Sequence, residues 1–480
     1  MENCMKRENN METDTYRTEV INKGDEISRL MIKACANTWK NREEITIVDA
    51  GMGGMVLVKP RTGYKIAIHS GTPSPQIVDD KEYAASLLSK LVADARRLHA
   101  EPMAFVDVLD LPSGEIDWAG NAAVGIEKSA DFYNVAGING ETAIIKGRIG
   151  RHFTLSGTML SYVKESHPTG VFVREDIPYA VINPEGKFLY VNVDGVGGKL
   201  EVHERIKSPL GMMDNAAMNF DDVPRKNGKV EVFSAIIESA SRRMLPDLDA
   251  IASQVGKKQG TLVVTKYAVG PIVGYGSNPY NINGSCVSTL SDEDLQHIPI
   301  PHAREKLVAV RHFGKFNGRS NGFTDVRVAL PRMYGDSWHE KEFLGETLGS
   351  IVSDPSEIFY SLWREAREHK LASSFYHMSG GSHNEKLAKP LAAAGLSVEL
   401  SPLETHPLML QIMEHMGISM RSGFGKFTMG TQAYFTTKKP AQLIRFMEAQ
   451  DLEAAVVGTL KKDSVGGVQI KAYGETISFP

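Results

Sequence analysis

Strand, helix, strand, helix, strand is spelled out along residues 45–163, and the same order begins again at residue 187. The first pass opens with short apolar runs, ITIVDAG (45–51), MVLVKP (55–60) and YKIAIHSG (64–71). KEYAASLLSKLVADARRLHA (81–100) follows with apolar residues at helical spacing, then the buried-strand pattern MAFVDVLDL. AGNAAVGIEKSADFYN (119–134) predicts a second helix, VAGING a loop approach, and FTLSGTMLSYV (153–163) a closing strand. The second pass reads KFLYVNVDG (187–195), the helix MMDNAAMNFDDV (212–223), VEVFSAIIES (230–239), LPDLDAIASQVGKKQ, TLVVTKYAV and INGSCVSTL. Two α/β units in tandem satisfy this order.

A third block begins near 305 with KLVAVRHFG, carries helices around 355–370, 385–394, 405–417 and 440–450, and ends in short strands. Ahead of the first unit, Ile27, Leu30, Met31, Ala34 and Cys35 recur at helical spacing, which predicts a helix over 25–41 capped by Asp25. Residues 1–15 are expected to be disordered. The Pro-bearing, weakly periodic segments 165–185 and 291–304 are the expected linkers.

With 480 residues the chain has room for two or three domains and a large core. The 54 Lys and Arg against 58 Asp and Glu leave a net charge of −4, which calls for neither nucleic acid nor an anionic membrane. No run reaches the 18 apolar residues of a membrane span, and the polar start lacks a secretory core. Cys4, Cys35 and Cys286 form neither a disulfide framework nor a zinc knuckle, so a reducing cytoplasm is expected.

The chemistry is sought among the glycine clusters. In VNVDGVGGKLEV a strand runs into a turn whose Gly195, Gly197 and Gly198 let backbone N–H groups approach phosphate, with Lys199 adding positive charge. Asp194 has the wrong sign for phosphate and fits if Mg²⁺ lies between. Spacing alone leaves a plain β-turn equally open. Asp221 and Asp222 end the following helix, with Asp214 two turns earlier; they are either further metal ligands or a solvated helix end. NGETA places Gly140, Glu141 and Thr142 in a turn of the first unit. In the third block, GRSNGFTDVR, FYHMSGGSHNEKL and SGFGKFTMGTQ are polar and Gly-rich. His377 and His383 are six apart without a third partner, which argues against zinc. No Ser-His-Asp order, nucleophile elbow or nucleophilic Cys setting stands out.

Taken together, TYRTEVINKGDEI, DGVGGKL, DNAAMNFDDV, NGETA, RSNGFTDVR, HMSGGSHNEKL and FGKFTMG resemble, segment by segment, the aminoimidazole ribonucleotide (AIR) synthase family, the phosphoribosylformylglycinamidine cyclo-ligases. The resemblance runs from about Tyr16 to the C-terminus. It implies an α/β (α+β) fold whose N-terminal-type domains pair as a β-barrel, followed by a C-terminal α/β domain. It also implies ATP with Mg²⁺ at the barrel interface and a small-molecule nucleotide substrate. The implied reaction phosphorylates the formyl amide oxygen of formylglycinamidine ribonucleotide, after which the amidine nitrogen closes the imidazole ring. By the same resemblance the segment Arg319, Ser320, Asn321 and Gly322 binds substrate; Arg319 departs from the family, which often has His there, and its guanidinium is expected to grip the substrate phosphate in a bidentate contact.

The departures from the family pattern are informative. Its motifs, found once in a usual N-terminal domain, are split here between two copies. The first copy (16–165) has HSGTPSPQ in place of the Asp-Gly-Lys loop and keeps only Asp94 of the paired acids, yet it carries NGETA. The second (175–300) has DGVGGK and FDD but puts Lys266 where the acidic residue of the GET turn belongs. A tandem pseudo-dimer is therefore expected, ahead of a C-terminal domain over 305–480, with one surviving composite site. There Asp194, Lys199 and Glu141 act in catalysis. Gly140, Thr142, Gly195, Gly197 and Gly198 hold nucleotide, and Asp194, Asp214, Asp221 and Asp222 hold metal. Further pairing into a homodimer is left open. So are a different acceptor, as in other ATP-dependent members of the superfamily, and a nucleotide-binding protein without turnover. The loop GMGG at 51–54 stands where a mobile glycine-rich loop closes over nucleotide.

Overall fold

The computed structural model describes residues 26–480 except 40, 41, 50–53, 146, 271, 276–278 and 464. The expected disordered tail, the Asp25 cap and most of the GMGG loop lie outside the described residues.

The chain opens with helix α1 over residues 26–37, as its apolar spacing predicts. Strands β1 (Ile45–Asp49), β2 (Gly54–Val58) and β3 (Tyr64–Gly71) follow, then α2 (Asp80–Arg97), β4 (Glu101–Leu111), α3 (Ile116–Tyr133), β5 (Ala136–Ile144) and β6 (Thr154–Lys164). The second pass comprises β7 (Gly170–Arg174), β8 (Ile177–Ile182), β9 (Phe188–Gly195), α4 (Lys199–Ile206), α5 (Gly211–Asp221), β10 (Lys229–Ser239), α6 (Leu245–Gln259), β11 (Leu262–Ala268) and β12 (Tyr280–Leu290).

Two six-stranded sheets result, ordered β5-β4-β6-β3-β8-β7 and β11-β10-β12-β9-β2-β1. The orders match strand for strand once β3 to β6 are set against β9 to β12. Each sheet is completed by the hairpin that precedes the other sheet's own strands, so β7–β8 pairs with β3 and β1–β2 with β9. This corrects the linker expected at 165–185, most of which is the exchanged hairpin. Val171 and Val173 stand exposed on that edge strand while Phe172 points back to the core. Glu175 and Asp176 close it with φ of 48° and 65°, a two-residue turn with both central residues left-handed. The 291–304 segment likewise begins with a short helix, α7 (Asp292–Gln296), under a Ser291–Asp294 capping box.

The apolar faces of the sheets meet in one core that includes Ile66, Ile68, Val106, Val108, Val191, Val193, Val232 and Val287. A chain of hydroxyls crosses it: Ser70 Oγ lies 2.8 Å from Thr158 and 2.6 Å from Ser234, and Thr158 lies 2.9 Å from Ser285. Buried hydroxyls this close satisfy one another, which removes the cost of burying them singly. Helices α1 to α3 cover the outer face of the first sheet, and α5 with α6 that of the second. Among the described residues no backbone ladder closes the sheets into the expected barrel. Neighbouring β5 and β9 are joined instead by a side chain, Asn139 Nδ2–H donating to Val191 O at 2.8 Å.

The C-terminal domain holds β13 (Lys306–Arg311), α8 (Phe323–Tyr334), the small hairpin β14–β15 (Glu342–Phe343, Glu346–Thr347), α9 (Leu348–Val352) and α10 (Tyr360–Glu368). Then come β16 (Ser374–His377), a π-helical turn over His383–Ala388, α11 (Lys389–Ala393) and β17 (Leu396–Leu400). Helices α12 (Pro407–His415) and α13 (Met420–Lys426) lead into β18 (Ala433–Thr437), α14 (Pro440–Glu448) into β19 (Glu453–Lys462), and β20 (Gly467–Ala472) and β21 (Glu475–Phe479) close the chain. Its seven-stranded sheet runs β16-β18-β13-β19-β17-β20-β21.

Candidate functional site

The GET segment of the first unit, expected as a turn, is instead part of strand β5, because it pairs in register with β4, and it meets the Asp-Gly end of β9 because β5 and β9 lie side by side. Glu141 sits on β5 two residues beyond Asn139, on the same side of the strand, and Asp194 near the end of β9. Both are half-buried, with Asp222 just past α5 and Lys386 of the π-helical turn close enough to act on them electrostatically. Burial raises the Asp194 carboxyl well above the usual range, and repulsion from Glu141 and Asp222 adds to it. Burial likewise lifts Glu141 to about 7, against the pull of Lys386. Burial also acts to raise Asp222, but Lys386 and His377 outweigh it and hold that carboxyl well below the usual range.

Asp222 is the best-fixed member. Its Oδ1 lies 2.9 Å from His377 Nε2 and 3.2 Å from Lys386 Nζ. His377 is fully buried, and burial pushes its pKa down to about 3, so it faces Asp222 as a neutral Nε2–H donor. The backbone N–H of Thr142 favours the ionised form of Glu141, and that of Gly195 the ionised form of Asp194. Three hard-oxygen donors suit Mg²⁺ in type. In this geometry, though, no three acidic or imidazole groups among the described residues converge as a metal-holding set.

The glycines of the loop answer to packing. A Cβ on Gly195 would meet Asn283 Oδ1 at 2.6 Å, and one on Gly198 would press on the Phe323–Thr324 backbone at 3.3 Å. Gly197 has φ +68°. Gly140 is exposed beside the half-buried Glu141 and Thr142, and a Cβ there would meet Asp107 Oδ1 at 2.6 Å.

Several residues expected in this site are placed elsewhere. Lys199 begins α4 and is fully buried; its ammonium donates to Asp214 Oδ1 (2.8 Å), Gly318 O (2.8 Å) and Asp354 O (2.6 Å). Three acceptors saturate the ammonium's three protons, leaving none for a phosphate. Asp214 is saturated too: His203 Nε2–H donates to its Oδ2 at 2.8 Å, and the Ser356 N–H and O–H to its Oδ1 at 2.9 and 2.5 Å. Burial opposes its charge, but Lys199 and His203 prevail and hold it low. Arg319, expected at a substrate phosphate, is fully buried against Asp221 at 2.9 Å and the carbonyls of Ala217 and Glu357. Asp221 is thereby turned from a metal ligand into an ion-pair partner. Asn321 Nδ2–H donates to Lys426 O at 2.6 Å, half-buried Ser320 flanks it, and Gly322 caps α8 at φ +78° with Phe427 where a Cβ would stand. These pairs join α4 and α5 to the C-terminal domain. Reaching phosphate would require Lys199 and Arg319 to abandon buried ion pairs, which geometry this complete opposes.

The second unit's counterpart of Glu141 is Lys266. Glu141 pairs with Val108, which faces Ser156 beside Gly157; Lys266 pairs with Ile236, which faces Asn283 beside Gly284. The two residues hold the same register in their sheets with opposite charge. Lys386 and His377 were not identified from sequence as site residues. Their segment was visible as a Gly-rich motif, but a lysine in polar sequence has no mark that separates it from ordinary surface.

Residues 53–163 match the family model described as AIR synthase related protein, N-terminal domain. The phosphoribosylformylglycinamidine cyclo-ligase of Picosynechococcus sp. is 24% identical over 282 residues, covering 57% of this chain and 81% of the relative. The like-named protein of Ligilactobacillus salivarius is 22% identical over 296 residues, covering 59% and 84%. Among solved structures, E. coli HypE, a hydrogenase maturation protein, aligns with a TM-score of 0.41 and 16% identity over 61% of this chain and 85% of its own. No described helix is long and apolar enough to cross a membrane.

Proposed function

We propose that this chain, a member of the AIR synthase-related family, is an ATP-dependent cyclo-ligase acting on formylglycinamidine ribonucleotide, with one composite site assembled from both of its tandem units. The observation that carries the reading is that β5, which bears Glu141, lies beside β9 of the second unit, which bears Asp194, the two strands tied by Asn139 Nδ2–H donating to Val191 O at 2.8 Å. The cyclo-ligase names of the relatives support the substrate.

In this reading Mg²⁺ bound with the ATP phosphates would supply charge neutralisation for phosphoryl transfer, and Asp194, Glu141 and Asp222 would be the carboxylates to hold it, once drawn together around the ion. The loop from Gly195 to Gly198, its glycines required by packing against Asn283 and the Phe323–Thr324 backbone, would offer backbone N–H groups to the nucleotide. Glu141 is half-buried with a raised pKa, so its ionisation is coupled to cation binding. The formyl amide oxygen attacks the γ-phosphorus and ADP leaves as the amide N–H proton is lost; the amidine nitrogen then attacks the formyl carbon, phosphate leaves with the activated oxygen, and the nitrogen gives up its proton to solvent. The protein's part is to align the two ends of one substrate and keep water out. Lys199–Asp214 and Arg319–Asp221 act in this scheme as clamps between the domains. The tandem units form a pseudo-dimer in which Lys266 leaves the second site without its acid.

The test is ADP and aminoimidazole ribonucleotide formation from formylglycinamidine ribonucleotide and MgATP. Wild type is expected to make both in equal amounts, and Asp194→Asn to lose at least about a hundredfold in kcat/KM, as removal of a charge-stabilising group does. ATP hydrolysis that does not depend on the amidine substrate would refute the cyclo-ligase assignment.

A further inference from the structure

Two cavities hold the same place in the two units. Glu101, at the start of β4, faces Tyr162 on β6, and Lys229, at the start of β10, faces Thr289 on β12, with a bulge directly after in both ladders. Helix α3 ends at Tyr133 before a left-handed Asn134, as α6 ends at Gln259 before a left-handed Gly260. Glu101, Tyr133 and Tyr162 line a cavity of about 380 Å³ in the first unit. Their counterparts Lys229, Gln259 and Thr289 line one of about 960 Å³ in the second.

In the second unit, α10 of the C-terminal domain walls the cavity. Val230 N–H donates to Tyr360 Oη at 2.7 Å, and Ser361 N–H to Gln259 Oε1 at 3.2 Å. The described chain holds one such domain, and the first unit is not built to dock another in the same way. The counterpart of Val230 is Pro102, which faces Ser161 as Val230 faces Ser288, and a proline has no N–H for a tyrosine oxygen to accept. Three arginines, Arg42, Arg61 and Arg96, line the first cavity instead.

These arginines are short of acceptors. Arg42 is mostly buried and held by Thr38 O at 2.9 Å and Asn134 Oδ1 at 2.8 Å, with Glu44 no nearer than 3.5 Å. Arg61 meets Glu101 at 2.9 Å, but both side chains are more than half exposed, so the pair is weak and yields to a better acceptor. Arg96 lies over the Tyr133 ring, 5.9 Å from its centroid, with no acid partner among the described residues. Tyr162 is only 3% exposed; its Oη accepts the Arg61 backbone N–H at 3.3 Å, which leaves its own proton to donate. Val92, Ala100 and Met103 add an apolar wall. Guanidinium forks and a phenol donor beside an apolar wall suit a phosphate carried on a small organic group, in a cavity of the size such ligands fill.

We propose that the first unit's cavity binds a small phosphomonoester, with Arg61, Arg96 and the Tyr162 hydroxyl on the phosphate and Arg42 supplying fixed positive charge. The site is distinct from the composite one: Glu101 precedes Val108, the strand partner of Glu141, by roughly 20 Å along β4. It does not depend on the cyclo-ligase reading.

The test is calorimetric titration of the full chain with ribose 5-phosphate, and in turn with ribose and inorganic phosphate. Wild type is compared with Arg96→Met, Arg61→Met and Arg97→Met, heat unfolding confirming that each is folded. Arg97 neighbours Arg96 but pairs with Asp94 and Glu175 outside the cavity, so its replacement controls for overall charge. Ribose 5-phosphate is expected to bind wild type with a Kd below about 1 mM and ribose not to bind. Arg96→Met and Arg61→Met are each expected to weaken binding about tenfold, as loss of a charge-assisted contact does, while Arg97→Met leaves it unchanged. Absence of binding, binding indifferent to Arg96→Met and Arg61→Met, or equal weakening by Arg97→Met overturns the site. Inorganic phosphate binding as tightly as the ester overturns the organic part of the assignment and leaves an anion site only.

Discussion

A lysine in a glycine-rich loop invites assignment to a phosphate, and Lys199 shows how the environment decides otherwise. Its ammonium has three acceptors and no solvent, so it is structural. Lys199→Met leaves Asp214 charged and under-paired, and stability is expected to fall by about 3–5 kcal/mol. Denaturant titration reads this directly; a midpoint unchanged from wild type would return Lys199 to the list of ligand-binding residues. A second prediction concerns buried acids outside the site. Asp107 is pushed by burial to about 7 and Glu238 to about 8. Between the ordinary carboxylate range and those values the folded protein keeps protons that the unfolded chain has released, so stability falls as pH rises through that window. Asp214 and Asp222, held low, titrate below it. Asp107→Asn and Glu238→Gln are expected to flatten the decline in urea midpoint between about pH 5 and 8.

At the scale of elements, most strands and helices were legible because their apolar residues follow period 2 or 3.6. Strands β4, β6, β10 and β12 are buried along nearly their whole length, their apolar residues interrupted by small and polar ones, and α2 keeps Leu87, Leu88, Leu91 and Val92 inward. The hairpin β7–β8 was not legible, because Glu175-Asp176 is not the Asn-Gly or Asp-Gly pair that marks such turns and Pro178 reads as a breaker. Nor was the exchange of hairpins, since which strands pair depends on contacts far apart in sequence. The hydroxyl chain between the sheets gives an element-scale prediction. Ser234→Ala removes a partner of Ser70 at 2.6 Å and is expected to cost about 1–3 kcal/mol, read as a lowered urea midpoint.

For the whole molecule, the reciprocal hairpins mean that neither unit is complete alone. A fragment ending at residue 168 lacks the β7–β8 edge of its own sheet and holds β1–β2 without its partner β9. It is expected to stay unfolded when produced alone and to give folded protein when co-produced with 169–480; a cooperative heat transition for the isolated fragment would show that the exchange is dispensable. The site was half legible on the same grounds. Glu141, Asp194 and Asp222 belong to motifs, and the complementary losses in the two units pointed to a shared site. Lys386 and His377 come from a third region of the chain and join only through the tertiary fold.

The central claim is that Glu141 and Asp194, from different units, serve one bound cation and nucleotide. A double-mutant cycle on MgATP affinity, by calorimetry on wild type, Glu141→Gln, Asp194→Asn and the pair, tests it most directly. Sharing one ligand predicts that the second substitution adds little once the first is made, with a coupling of at least about 1 kcal/mol. Strictly additive losses would place the two carboxylates in separate sites and contradict the account.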